Sequence, residues 1–142
     1  GNMFYNNLTK ERKVYCVFAL LALCAAVPFV LSLGPSALPR EAVVPLTVLW
    51  GLAYAMPFYI PPGEAAMNIG GMASTALFTN VFDAAGFAMS AVWNPWASSV
   101  AKGGDFRLIL LSQALFGAIS MVTMPLCMAR QNAKDDAAKK KK

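Results

Sequence analysis

Apolar stretches alternate with short polar connections along this chain. Residues 14–33 carry no charged side chain, and neither do residues 43–60. Residues 75–101 hold one acid, Asp83, and no base, and residues 108–129 hold no charge at all. A helix that crosses a bilayer core needs about 20 predominantly apolar residues. The pattern predicts an all-α membrane protein of four transmembrane helices in one domain, residues 14–129. An amphiphilic lead, 1–13, precedes it and a basic tail, 130–142, follows. No internal repeat is visible.

Proline, glycine and aromatic residues punctuate the four stretches. In the lead, Phe4, Tyr5 and Leu8 recur at near-helical spacing, as expected of a segment lying in the membrane interface. Pro28 is expected to kink the first span near its far end. Pro61-Pro62-Gly63 is expected to break or sharply bend the chain after the second span, with residues 63–73 as the connection. Tyr59 at the end of span two, and Trp93 and Trp96 around Asn94-Pro95 in span three, are placed as interface anchors. Lys102-Gly103-Gly104-Asp105 reads as a tight turn. Asp105 is the expected cap of span four.

Charge sharpens the topology. The net charge is +5, but only 13% of residues are charged, against roughly one quarter in an average soluble domain. Lys10, Arg12 and Lys13 precede the first span, and Arg130, Lys134 and Lys139 to Lys142 follow the last. Only Arg40, Lys102 and Arg107 lie in the two connections on the other side. Four spans put both termini on one side, and the positive-inside rule makes that side cytoplasmic, stromal or matrix. This distribution argues for a membrane surface and against nucleic acid as the partner of the bases. Three cysteines fall inside predicted spans with no CxxC spacing, so neither a disulfide nor a metal site is expected. Histidine, the commonest general base, is absent from the sequence, as are nucleotide-binding and hydrolase motifs. No enzyme is expected.

The polar residues inside the spans are the candidates for function. Asp83 stands out, because an ionisable group in a span is costly and marks a functional position by default. No base shares its depth, which leaves a hydrogen bond to Thr79, Asn80 or a facing helix, proton or solute chemistry, or a pairing with a base on another protein. Asn68, Asn80, Asn94 and Gln113 are expected to hydrogen-bond between helices. Their side-chain oxygens are also of the kind that coordinate a hard cation such as the magnesium of a chlorophyll. Glu64 reads as an interfacial acid starting a helix. Gly86 with Ser90, and Ala84 with Ala88, form small-residue pairs that let helix backbones approach closely.

One family resemblance covers most of the chain. The stretch GLAYAMPFYIPPGEAAMNIGGMASTALFTNVFDAAGFAMSAVWNPWASSV, residues 51–100, resembles the tenth and eleventh helices of a major facilitator superfamily transporter. Shared features are a Gly/Pro-rich helix, a tight inside turn, and a small-residue helix with the F-D-A-x-G-F run. Residues 108–129 then resemble the twelfth helix and its basic tail. The resemblance implies a truncated transporter bundle. It does not imply a complete pathway, since that fold builds its site between two six-helix halves. GEAAMNIGG is similar to the GRxAM stretch of light-harvesting antenna helices, but Glu64 replaces the arginine and the paired ExxxGR helices are missing.

These readings together point to a non-catalytic accessory or scaffold subunit of a larger membrane complex. Its expected partners are other integral membrane proteins and lipids. A photosystem–antenna complex of the plastid thylakoid is one candidate host, with chlorophyll, carotenoid or lipid contacts at the surface. The alternative is one part of an oligomeric major-facilitator-type transporter for a small solute.

Overall fold

The computed structural model describes residues 7–34 and 38–139; the side chains of residues 56, 58–74, 135, 136, 138 and 139 lie outside that description. Three helices make up the described chain: α1, Lys10–Ser32; α2, Arg40–Lys102; and α3, Phe106–Lys139. Among the described residues, three segments are by length and composition sufficient to cross a membrane: Lys10–Ser32, Thr75–Lys102 and Phe106–Lys134. The remaining expected span, 43–60, runs into positions outside the described side chains.

Helix α1 is the central element and packs against both others. Thr9 caps its N-terminus, accepting a hydrogen bond from the Arg12 backbone N–H at 3.5 Å. Val17, Leu21, Cys24 and Pro28 are buried at spacings of four, three and four, the period of one helix face. Leu8, just outside the helix, packs on the Val17–Leu21 cluster beside Met121, Met124 and Met128 of α3. Leu8 of the expected interfacial lead is thus tied into the helix core, while Phe4 and Tyr5 lie outside the described residues. On α2, Ala42, Leu46, Trp50, Ala53 and Pro57 form the corresponding covered face.

Helices α1 and α3 run antiparallel. Gly117 of α3 lies against Cys24 and Ala25 of α1, and Met121, Met124 and Met128 lie against Leu21 and Val17. Rising numbers on one helix therefore meet falling numbers on the other. This pairing sets Lys10, Arg12 and Lys13 at the same end as Arg130 and Lys134, so both basic clusters share one end of the bundle. The helix also continues through most of the expected tail, to Lys139. At about 51 Å it is longer than the roughly 30 Å core of a bilayer, so its last turns project beyond that core.

The expected connection after Pro61-Pro62-Gly63 needs correction, because the backbone is helical throughout Arg40–Lys102. An internal proline removes one hydrogen bond and bends a helix without having to end it. A straight helix of 63 residues would be about 95 Å long. The packing forbids that shape. Arg40 is tied to Ala25 through the end of α1 and a short connection. Trp93 is tied to the same point through its contact with Phe116, the neighbour of Gly117. Those links hold Arg40 and Trp93 within about 55 Å, where a straight helix would set them about 80 Å apart. Helix α2 therefore bends through at least roughly a right angle between them, and its two halves act as separate elements.

Candidate polar face of the second half of α2

The hydroxyls of the apolar helices are mostly satisfied within one turn. Ser32 Oγ donates to the Phe29 carbonyl at 2.6 Å, and Ser112 Oγ donates to the Ile109 carbonyl at 2.6 Å. Thr47 Oγ1 donates to the Val43 carbonyl at 2.8 Å, and Thr123 Oγ1 to the Ile119 carbonyl at 3.0 Å. Back-bonding of this kind lets a hydroxyl sit in hydrocarbon without a second helix. Carboxyl and carboxamide groups have too many donor or acceptor positions to be satisfied that way.

Those larger polar groups gather on one face of Thr79–Ala97. Thr79, Asp83, Gly86, Ser90, Asn94 and Ala97 follow at spacings of four, three, four, four and three, which average to the 3.6-residue turn of a helix. Asn80 flanks Asp83 one turn back. The stripe therefore runs straight along the axis instead of winding around it. Asn80, Asp83, Gly86, Ser90 and Asn94 are all exposed. Among the described residues, none of the side chains of Asn80, Asp83 or Asn94 makes a hydrogen bond or ion pair. A Cβ added at Gly86 would meet nothing within 4 Å. Ala84 and Ala88 are exposed on the adjoining surface. All four small residues of the two pairs thus lie on exposed surface.

The rest of this half-helix is equally uncovered. Leu77, Val81, Phe87, Met89 and Val92 are each more than half exposed. The end near the turn is anchored by aromatic contacts. There Trp93 lies 4.7 Å from Trp96 and 5.4 Å, edge-on, from Phe116 of α3. Such contacts each contribute about 0.5–1.5 kcal/mol beyond the area they bury. Trp93 is half-buried in the α2–α3 seam, and Trp96 stays on its outer side. Gly104, at φ +81°, makes the turn in the left-handed region. Asp105 Oδ1 then accepts the Leu108 N–H at 3.1 Å and caps α3.

The other sequence candidates separate from this face. Gln113 lies on α3, half-buried beside the buried Ala114. Tyr59, Glu64 and Asn68 lie outside the described side chains. The structure adds one residue that the small-residue pairs did not single out. A Cβ at Gly117 would come 2.8 Å from the Ala25 backbone nitrogen and 2.9 Å from its Cα, so this glycine is where α1 and α3 touch backbone to backbone. Its signal in the sequence is a lone glycine in the middle of an uncharged span. Among the described residues no group of three or more His, Cys, Asp or Glu is arranged to hold a metal ion. Comparison with known proteins finds no matching family, no matching characterised relative and no matching solved structure.

Proposed function

We propose that this chain is a non-catalytic integral membrane subunit that stabilises a larger membrane assembly. The observation behind this reading is the second half of α2: a membrane-length helix, uncovered by its own chain, with a carboxyl and two carboxamides on one face. Lipid tails offer nothing to such groups, which in membrane proteins face protein or a water-filled cavity. A subunit that completes its polar face on a neighbour accounts for the exposure and for the lack of internal partners together. The paired basic clusters at one end suit an anionic membrane surface, at about 1 kcal/mol per near-surface base. The proposed orientation puts that end in the cytoplasm or stroma. A thylakoid photosynthetic complex is one candidate host, with Asn80, Asn94 and Gln113 available to a pigment or lipid headgroup. The test is a photo-reactive residue at position 83 in native membranes. Crosslinking to protein supports the subunit reading; labelling of lipid alone overturns it.

A second reading rests on the major-facilitator-like stretch 51–100 and on Asp83 itself. Here the chain is part of an oligomeric small-solute transporter and Asp83 faces a water-filled cavity. Asp83→Asn would then abolish uptake in reconstituted vesicles while assembly is unchanged. Unchanged uptake, or no uptake by the wild type, removes this alternative.

A further inference from the structure

We infer that the neighbour of the polar face is a second copy of this chain, with the two α2 halves packed side by side around a twofold axis normal to the membrane. The inference rests on the subunit reading and names one partner for it. Its basis is the self-complementarity of the stripe. Asp83 presents acceptor oxygens, and Asn80, one turn away on the same face, presents two amide donors. A twofold axis along the membrane normal keeps both copies in one topology and sets equal residues at equal depth. Asp83 of each copy then faces its equivalent across the axis, and its side chain, leaning toward the helix N-terminus, reaches diagonally to Asn80 of the other copy about 4.5 Å farther along, giving two equivalent hydrogen bonds. Ser90 and Asn94 repeat the match farther along, since a hydroxyl and a carboxamide each both donate and accept.

The backbone allows the approach this requires. Gly86 and Ser90 lie directly along the stripe from Asp83, and the space over Gly86 is open. Small residues four apart permit close crossing of transmembrane helices, and hydrogen bonds then become short enough to form. A hetero-partner carrying a base at this depth would satisfy Asp83 but leave Asn80, Ser90 and Asn94 to find separate matches. A second copy satisfies all four levels with no group from outside the chain.

The test uses the full chain in native or reconstituted membranes, with Cys16, Cys24 and Cys127 replaced by alanine and one cysteine introduced. Ser90→Cys lies on the stripe and Val92→Cys on the opposite side of the helix. Copper-phenanthroline oxidation is expected to give a disulfide-linked pair at twice the monomer mass from Ser90→Cys, at least tenfold more than from Val92→Cys. Asn80→Ala with Asp83→Ala should reduce that yield several-fold, whereas Asp83→Asn, which keeps a self-matching amide, should retain it. Resistance of every variant to alkaline extraction shows that it is inserted. Equal yields at 90 and 92, or no self-crosslink at 90, overturn the second-copy inference. Loss with Asp83→Asn also overturns it, in favour of a basic partner. A bifunctional maleimide at position 90 separates the two levels: a crosslink only to a different protein defeats self-association and keeps the subunit reading, and no protein crosslink defeats both.

Discussion

Replacing Gly117 by alanine should destabilise the bundle, although alanine is the better helix former. The added Cβ would sit 2.8 Å from the Ala25 nitrogen and 2.9 Å from the Cys24 carbonyl carbon. Both are backbone atoms of α1, so no side chain can swing aside. Restoring ordinary contact at about 3.4 Å requires α1 and α3 to separate locally by about 0.6 Å. A gap of that size forfeits a quarter to a half of the dispersion energy of facing atom pairs. Overpacking of this kind costs about 1–3 kcal/mol. Against it stands the gain of about 1 kcal/mol from glycine to alanine in a helix. The expected net loss is up to about 2 kcal/mol. Gly51→Ala is the control, because nothing lies within 4 Å of its added Cβ and only the helix-propensity gain remains. The assay is unfolding in mild detergent, followed by helical circular dichroism as SDS is titrated in. If Gly117→Ala unfolds at or above the wild-type midpoint, and together with Gly51→Ala, the close α1–α3 crossing is refuted.

Other consequences are equally direct. Gly104→Ala places a side chain at φ +81° in the α2–α3 turn and should cost about 1–2 kcal/mol in the same titration, with no effect if the turn is not left-handed. Asp105→Ala removes the cap on the Leu108 N–H and should cost about 1 kcal/mol, while Asp105→Asn or Asp105→Ser should restore most of it. Single cysteines at Lys13 and Arg130 should react with an impermeant maleimide from one side of sealed vesicles, and a cysteine at Lys102 from the other. Labelling of 13 and 130 from opposite sides would break the antiparallel α1–α3 pairing.

Much of this fold is legible as a pattern of length and charge. The uncharged runs 14–33 and 108–129 became the apolar parts of α1 and α3, because membrane-length runs of apolar residues leave the helix as the main way to satisfy the backbone. The cap at Asp105 and the glycine turn before it followed from local chemistry of the same kind. Pro61-Pro62-Gly63 was less informative. Prolines signal a change of direction without saying whether the hydrogen-bonded helix ends there, and here direction changes while the helix is kept. Which face of each helix meets another was the least legible. The small residues at 84, 86, 88 and 90 and at 117 look alike in sequence, yet the first four are exposed and Gly117 packs against α1. That choice is set by how the other two helices pack around α1, and local composition carries little of it. Asp83 could be picked out as costly, but its lack of an internal partner became visible only with the other helices in place.

The most direct test of the account is the size and composition of the assembly that holds this chain. Extraction of native membranes in mild detergent, native-gel separation and mass spectrometry of the band would supply both. The account predicts migration well above the 15.2 kDa chain, with two copies per assembly and other membrane proteins alongside. Migration as a single detergent-solvated chain, with the second half of α2 open to lipid labels along its polar face, would contradict it.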